Sequence, residues 1–340
     1  MSRLLTPIDL FRLRRKARSL VVLDGDVALL RRHRVLLVAM RTILENHTRY
    51  STTIVRDGAT SAILQARRRH SRPERELLAL ASYGPEQRYP SDHDMWFNLL
   101  EAHVVESARS RIQRLYATLD GNHTDLVEIF RQSGYAPFSR EVLLRLDGPD
   151  WDQGIRLAAM APQTRHDVWG VHQLYGQTTP RPVQLAEAKA ARDWMLPLAT
   201  PWERVKQRAW VQRHSDQVVA SLHIHSGHEA HVMRLLVQPS ARDEVPDMLR
   251  FGISQIADTL PIWLVLRDYQ EDLLWSAQDL GFQPFSEQSL LVRHNVAFVR
   301  RPAFARVLEP NQDPGSPIPT IVPAAHKQAR FYAPPERHYQ

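Results

Sequence analysis

The feature that most constrains this chain is a phrase that occurs twice. Residues 134–145 read Gly-Tyr-Ala-Pro-Phe-Ser-Arg-Glu-Val-Leu-Leu-Arg, and residues 281–293 read Gly-Phe-Gln-Pro-Phe-Ser-Glu-Gln-Ser-Leu-Leu-Val-Arg. The glycine, the aromatic residue, the proline, the Phe-Ser pair and the Leu-Leu pair recur 147 residues apart, as at Pro137 and Pro284. An internal repeat of this kind indicates two copies of one domain.

The composition is that of a globular protein, with 340 residues, 43% hydrophobic and 24% charged. There is no cysteine, so disulfides, thiolate metal ligands and a cysteine nucleophile are excluded. No apolar run is long enough to cross a membrane, and no signal peptide is present, so we expect a cytoplasmic protein without a membrane partner. The net charge of +7 favours anionic ligands, but no nucleic-acid-binding motif occurs, and nucleic acid is not an expected partner.

Hydrophobic periodicity and turn signals predict the same order of elements in both copies: helices, a hairpin, a strand, a helix, a strand, a helix and a last strand. The elements predicted for the first copy are helices 5–18 and 26–45, hairpin strands 52–56 and 60–67, strand 75–83, helix 92–110, strand 112–119, helix 123–133 and strand 138–146. Those predicted for the second copy are helices 167–176 and 182–195, hairpin strands 207–213 and 217–225, strand 229–238, helix 247–258, strand 261–267, helix 270–280 and strand 285–294.

These patterns divide the chain into four segments. An N-terminal domain takes residues 1–147, and a C-terminal domain takes residues 165–300. A linker marked by Gly and Pro joins them at 148–164. The last segment, 301–340, is rich in proline, which predicts an extended or disordered tail.

The element order, with Gly134-Tyr135 and Gly281-Phe282, resembles the GNAT superfamily of acetyl-CoA-dependent N-acetyltransferases, which carry Gly-Phe after their last helix. The resemblance covers residues 1–146 and 167–300. It implies an α/β (mixed α+β) fold with two tandem domains, each a mixed, mostly antiparallel sheet flanked by helices. It also implies splayed central strands, with the pantetheine arm of acetyl-CoA or another acyl-CoA lying between them. The chemistry must be argued from the site itself, because a fold does not fix a function.

In the family, the strand before the long helix ends in a phrase whose backbone N–H groups bind the coenzyme pyrophosphate. The second copy matches its first half, Val237-Gln-Pro-Ser-Ala-Arg242, so the resemblance assigns Val237, Ser240 and Arg242 to coenzyme binding. The second half departs from the pattern, because Pro246 lacks a donor N–H and three carboxylates stand beside the expected phosphates: Asp243, Glu244 and Asp247.

The first copy matches less well, since its loop at 84–91 has no glycine pair. Asn122 stands where the family often has a polar residue facing the coenzyme, although a turn after Gly121 also explains it. Many family members carry a Tyr four residues before the Gly of Gly-Phe, as a general acid. Phe130 and Ala277 occupy those positions, so no catalytic residue is assigned.

Two further clusters have chemical potential. His223 and His225 alternate on a predicted strand and therefore share one face, but a surface position is favoured over a metal site, and no metal is expected. The run Arg67-Arg68-Arg69-His70 is either an anion patch or, by preference, a solvated loop.

The sequence thus predicts an N-acyltransferase-like protein that transfers an acetyl or acyl group from acyl-CoA to a small-molecule or peptide amine. If one copy is active, the second is favoured. The alternative is a non-catalytic binding or scaffold protein that keeps the fold and uses its cleft for another ligand.

Overall fold

The computed structural model describes residues 2–69, 72–85, 92–148, 158–197 and 205–295. The predicted tail and most of the predicted linker lie outside these ranges. Both copies belong to one compact unit, Met1–Ala297. In the described ranges no helix is long and apolar enough to span a membrane.

Most of the elements follow the predicted order. The strands are β1 Ser2–Leu4, β2 Ser19–Val22, β3 Tyr50–Asp57, β4 Thr60–Arg68, β5 Glu74–Tyr83, β6 Arg114–Asp120, β7 Ala136–Leu146, β8 Ala161–Pro162, β9 Lys206–His214, β10 Gln217–Ser226, β11 His231–Val237, β12 Ile262–Arg267 and β13 Gln283–His294. The α-helices are α1 Leu10–Leu13, α2 Gly25–Leu30, α3 Val35–Leu44, α4 Asp92–Arg109, α5 Thr124–Gln132, α6 Asp167–Thr178, α7 Arg181–Glu187, α8 Val245–Ser254 and α9 Leu274–Gln278. Four 3-10 helices are Pro7–Asp9, Ala191–Trp194, Pro239–Glu244 and Asp268–Leu273.

All described strands form one sheet in the order β1-β3-β4-β5-β6-β13-β7-β12-β11-β10-β9-β8, with β2 paired to β5 outside this path. The copies exchange their last strands: β13 of the second copy pairs with β6 of the first, and β7 of the first pairs with β12 of the second. β7 and β13 also pair with each other, antiparallel. The described pairs are antiparallel except β5 with β6 and β11 with β12, which are parallel.

The repeated phrase occupies this junction. Glu141 and Gln288 lie at equivalent positions of the two copies, and they are register partners between β7 and β13. The Gln288 Nε2 donates to Glu141 Oε2 at 3.0 Å. The repeat therefore marks the place where the two copies meet as well as the register between them.

The two faces of the sheet differ. One face is covered by the apolar sides of α4 and α5 in the first copy and of α8 and α9 in the second, which form the two largest hydrophobic clusters. The opposite face carries α1 and α3 over the first hairpin and α6 over the second, in smaller clusters. α2 lies between them and contacts both β2 and β11, so a six-residue helix reaches strands of both copies.

Four predicted helices are shortened or broken. The predicted helix 5–18 is the 3-10 helix Pro7–Asp9 followed by α1, and it ends at Leu13. In the other three, the break lies where a polar side chain is held by another element. The predicted helix 26–45 is two helices, because buried Gln65 hydrogen bonds the His33 ring and the Val35 carbonyl. The predicted helix 182–195 stops at Glu187, and the next residue is left-handed with φ +46°. The predicted helix 270–280 begins as a 3-10 helix, with Gln270 at φ −116°. The strands β1 and β2 were not predicted.

Both copies end their last helix in the same way. Gly134 and Gly281 adopt φ +77° and +91°. In each copy the next N–H reaches back to the fifth residue before it: Tyr135 donates to the Phe130 carbonyl at 3.0 Å, and Phe282 donates to the Ala277 carbonyl at 3.1 Å. This left-handed cap favours glycine, because a Cβ would clash with the following carbonyl.

We therefore expect Gly134→Ala and Gly281→Ala each to destabilise the fold by about 1 kcal/mol through left-handed strain. Gly176→Ala is the matched control, since Gly176 lies in α6 without positive φ and its added Cβ meets no atom within 4 Å. This control should stabilise the protein by about 0.5 kcal/mol. Urea unfolding measures all three; equal effects at the three positions would contradict the cap assignment.

Candidate functional site

The splay between the parallel strands of the first copy is filled by the chain itself. β5 and β6 pair only over Glu74–Glu76 and Arg114–Tyr116. Beyond this point β5 pairs with β2, from Val22 opposite Ala79 to Ser19 opposite Ser82. Leu23 then bridges both strands: its N–H donates to Leu78 O at 2.9 Å, and its carbonyl accepts from the Thr118 N–H at 2.8 Å. The β5 edge of this cleft is therefore paired by β2, and the Thr118 N–H of β6 is paired by Leu23.

The splay of the second copy has no such strand. β11 and β12 pair over His231–Met233 and Ile262–Leu264, and no strand of the described ranges lies between them farther along. A side chain spans part of the gap instead: Gln270 Nε2 donates to Leu235 O at 2.7 Å, and its Oε1 accepts from the Arg267 N–H at 3.1 Å. The two splays therefore differ in what they leave accessible.

A mixed sheet with a splayed central parallel pair, a helix following each central strand, and a last helix closed by glycine occurs in both copies. The mixed α/β fold that the sequence predicted, a mixed and mostly antiparallel sheet flanked by helices, is confirmed. Its strand order and splay resemble those of the GNAT superfamily in both copies.

No family model matches the chain, and no curated protein matches it. Among solved structures, it is similar to a GCN5-related N-acetyltransferase from Sphaerobacter thermophilus, with 11% identity over 86% of this chain and 95% of that one, at a TM-score of 0.48. It is similar to a tandem GNAT protein from the clavulanic acid biosynthesis pathway, with 11% identity over 73% and 83%, at a TM-score of 0.44. A functionally unknown protein from Staphylococcus epidermidis has 10% identity over 71% and 94%, at 0.48. At these values the likeness says nothing of activity.

The candidate site is a central pocket on the sheet face opposite α4, α5, α8 and α9. Its volume is about 440 Å³, and both copies line it. The second splay opens into it, since Leu235, Leu236 and Val265 are among its lining residues. The remaining walls come from β4–β7, β9–β13, α2, α6, the segment from α7 to the following 3-10 helix, and the 3-10 helix Asp268–Leu273.

Two of the arginines that line this central pocket pair with Glu141. It accepts from Arg234 Nη1 at 2.7 Å and from Gln288 at 3.0 Å, and Arg267 Nε lies 3.1 Å away. Arg234 also donates from Nη2 to Asp26 Oδ1 at 2.7 Å. One carboxylate of β7 thus connects both copies with α2.

A second carboxylate, Glu187, lies at the end of α7. It accepts from Arg267 Nη2 at 2.7 Å and from the Tyr175 hydroxyl at 2.8 Å, and Lys189 Nζ lies 3.2 Å away. These three contacts of Glu187 hold the end of α7 at the wall of the pocket.

The first copy contributes a cluster of charged side chains to the central pocket. Arg67 Nη2 lies 3.1 Å from Asp24 Oδ2 and donates to Glu76 Oε2 at 2.7 Å. The Arg69 guanidinium lies 3.8 Å from the centre of the Tyr116 ring. All of these residues line the central pocket.

One wall of the pocket, the second-copy segment from Ala186 to Asp193, is bonded to the first copy. Tyr116 donates its hydroxyl hydrogen to the Ala186 carbonyl at 2.8 Å. Arg72 forms an ion pair with Asp193. These contacts hold the second-copy segment that follows α7 against the first-copy strands, so the pocket depends on both copies.

The pocket holds groups in unusual protonation states. Burial raises the pKa of Asp24 to about 6, with the charge of Glu76 acting in the same direction. Burial opposes the charge of Asp26, but Arg234 and His225 hold the pKa of that carboxyl well below its usual range. Burial lowers the pKa of the His223 imidazole to about 3, so this ring is neutral at pH 7. A neutral base and ionised carboxylates therefore lie in one cavity.

The four residues assigned to the coenzyme lie away from this pocket. Val237 is buried in the core at the end of β11, while Ser240 and Arg242 are exposed on the 3-10 helix that follows. Arg242 Nε lies 2.8 Å from Asp272 Oδ2. Asn122 is exposed in a turn, where its N–H and Nδ2 both donate to Asp120 Oδ1 at 3.1 Å. Their part in coenzyme binding stays a prediction.

For two clusters of residues, the sequence predicted a surface position, whereas the structure places them in the central pocket. His223 and His225 do share a face, but that face lines the central pocket, and His225 bonds Asp26 at 3.0 Å. Arg67 and Arg69 were interpreted as part of a solvated loop, which is wrong, because they are half-buried in the pocket. No periodicity predicted Glu141, Glu187 or Arg234, whose partners lie in distant parts of the chain. Within the described residues no group of three metal-ligating side chains occurs.

The substituted tyrosine positions are buried. Phe130 and Ala277 are fully enclosed in the two cores, and neither carries a proton donor. Tyr116, Tyr175 and Tyr269 line the central pocket instead. Their pKa values are raised, with burial as the largest cause.

We expect the pocket's charges to make stability depend on pH. Burial opposes the charge of Glu187, but Lys189 and Arg267 lower its pKa to about 2, below the usual 4.5. A lowered carboxyl pKa gives stability that is present above pH 4.5 and is lost as pH falls towards 2.

Glu187→Gln should therefore cost up to about 3 kcal/mol at pH 6, and the cost should shrink steadily as pH falls below 4.5. The check is urea unfolding of both proteins between pH 6 and 3. Subtracting the two curves removes the common contribution of His223. A difference that stays constant across this range would contradict the ionised Glu187.

Proposed function

We propose that this protein is an N-acyltransferase-like protein whose central pocket holds an amine acceptor and whose second copy alone takes acyl-CoA. The observation that carries the proposal is the contrast between the two splays. The first is closed by β2, whereas the second opens into a pocket lined by both copies.

The residues of the first copy do not fit acyl-CoA. Its pantetheine arm would need the position of Ser19–Leu23, whose backbone is paired on β5 and β6. Displacing this strand would leave buried backbone groups unpaired, at roughly 1–3 kcal/mol each. The first copy therefore serves the site by supplying pocket walls.

The second copy offers space for the acyl arm beside Leu235, Leu236 and Val265. Bound there, acyl-CoA would supply the activated acyl group. Its phosphates find few partners in the place that the resemblance predicts, because the phrase continues as a 3-10 helix and Arg242 is paired with Asp272.

The pocket suits an acceptor that carries a positive charge. Asp26, Glu141 and Glu187 line the cavity, where each is already paired with Arg234 or Arg267 and offers its remaining oxygen lone pairs to an ammonium group. Asp24, whose pKa is raised to about 6, has the basicity of a group that removes a proton near neutral pH. Holding the amine beside the second splay would supply much of any rate enhancement through proximity.

The absence of a proton donor at two positions favours a second candidate function, that of a non-catalytic binding protein. The two positions at which the family has a proton-donating tyrosine are a phenylalanine and an alanine, both buried. In this case the same central pocket would bind a cationic ligand without acyl transfer.

Calorimetric titration with acetyl-CoA separates the two candidates. The proposal predicts one site per chain, weakened about tenfold by Arg242→Ala, because Arg242 would exchange Asp272 for a phosphate oxygen. Arg131→Ala is the matched control, since it removes an exposed arginine paired with Glu128 in the first copy, and it should leave the affinity unchanged. Absence of heat at high micromolar acetyl-CoA would overturn acyl-CoA dependence and leave the binding protein. Thiol release in the presence of di- and polyamines then tests turnover.

A further inference from the structure

A second cavity, which we name the basic pocket, lies beside the central pocket between α2, α3 and the first hairpin. Its volume is about 670 Å³. Its walls contain one carboxylate, Glu229, against five arginines: Arg31, Arg32, Arg34, Arg41 and Arg67. It shares Val27, Arg31 and Arg67 with the central pocket, and it lies away from the second splay.

Only two of these arginines have carboxylate partners. Arg67 pairs with Asp24 and Glu76 at 3.1 and 2.7 Å, and Arg32 Nε lies 3.3 Å from Glu229. In the described part of the chain, no ion pair joins Arg31, Arg34 or Arg41 to an acidic residue. The cavity therefore carries about three uncompensated positive charges.

Arg31 is held beside Arg67 at a cost. Burial lowers the pKa of the Arg31 guanidinium, and the nearby charge of Arg67 lowers it further, while the charge of Asp24 acts in the opposite direction. Arg34 and Arg41 are exposed at the border of the cavity. A cluster that keeps like charges together is a site prepared for an anion.

The loop that carries the cluster is fixed from both sides. Buried Gln65 donates to the Val35 carbonyl at 2.9 Å, and it contacts His33 Nε2 at 2.7 Å. From the second copy, the Glu229 N–H donates to the Leu30 carbonyl at 3.3 Å. The arginines therefore start from a backbone that does not have to be ordered on binding.

An aromatic ring completes the wall. Tyr50 lines the basic pocket and is largely buried, and the Arg41 guanidinium lies 6.0 Å from its ring centre. Arg49 lies on the same ring at 5.8 Å. The ring holds Arg41 near the cavity without neutralising its charge.

We propose that the basic pocket binds a small soluble ligand with two or more linked phosphate groups. A polyphosphate supplies several negative charges within the span of one cavity, and guanidinium forks match phosphate oxygens in pairs. A single carboxylate would leave most of the cluster's charge unpaired. This site does not depend on acyl transfer, and its residues are separate from Val237, Ser240 and Arg242.

The test is calorimetric titration of the full chain with tripolyphosphate. We expect one site, weakened about tenfold by Arg31→Gln and by Arg41→Gln. Arg12→Gln is the matched control, since it removes the same charge from an exposed position on α1 outside the pocket. Its effect should stay within about twofold, because solvent screens a distant charge.

Arg31 is half-buried, so each variant is first compared with the unaltered protein by melting temperature. Arg41 is exposed, and Arg41→Gln keeps the test valid if Arg31→Gln unfolds. Orthophosphate, with a single phosphate group, should bind at least tenfold more weakly, because it pairs fewer of the arginines. Absence of tripolyphosphate binding, equal losses in Arg12→Gln and Arg41→Gln, or orthophosphate binding as tight as tripolyphosphate would each overturn the proposal.

Discussion

The pairing of β7 with β13 is the constraint on which the rest of this molecule depends. Each copy gives its last strand to the junction, so neither sheet is complete in its half of the sequence. The pairing places Glu141 between Gln288 on one side and Arg267 on the other, at the centre of the sheet. Glu141 is buried, and its carboxyl group pairs with Arg234 of β11 and Arg267 of β12, which in turn hold α2 and α7. The central pocket is thus a consequence of the strand exchange.

The two copies then differ in what lies between their parallel strands. In the first, Ser19–Leu23 fills the gap as a strand and satisfies both neighbours. In the second, one glutamine side chain reaches across, and the space beside it joins the central pocket. The first copy therefore has a closed cleft, whereas the cleft of the second copy is accessible. The basic pocket lies mainly on the first copy, beside the segment that leads from β2 into α2.

How much the sequence could predict follows from which contacts are local. The hairpins, the long helix α4, and the glycine caps depend on turn residues and periodicity nearby in the chain, and these predictions are confirmed. β2 was missed because Ser19–Val22 is short and its pairing partner lies about sixty residues away. Helices 26–45, 182–195 and 270–280 were predicted too long, because buried Gln65, Glu187 and Gln270 bond to distant groups. The pocket charges were missed for the same reason, since Asp26 and Arg234 are separated by most of the chain.

The closure of the first splay is the central claim, and backbone hydrogen exchange tests it most directly. The account predicts that the amides of Val21 and Leu23, which face β5, exchange slowly and are unchanged by acetyl-CoA. Protection induced by acetyl-CoA should be confined to 234–243, at the second splay. Fast exchange at Val21 and Leu23, or acetyl-CoA protection of the ends of β5 and β6, would contradict the claim.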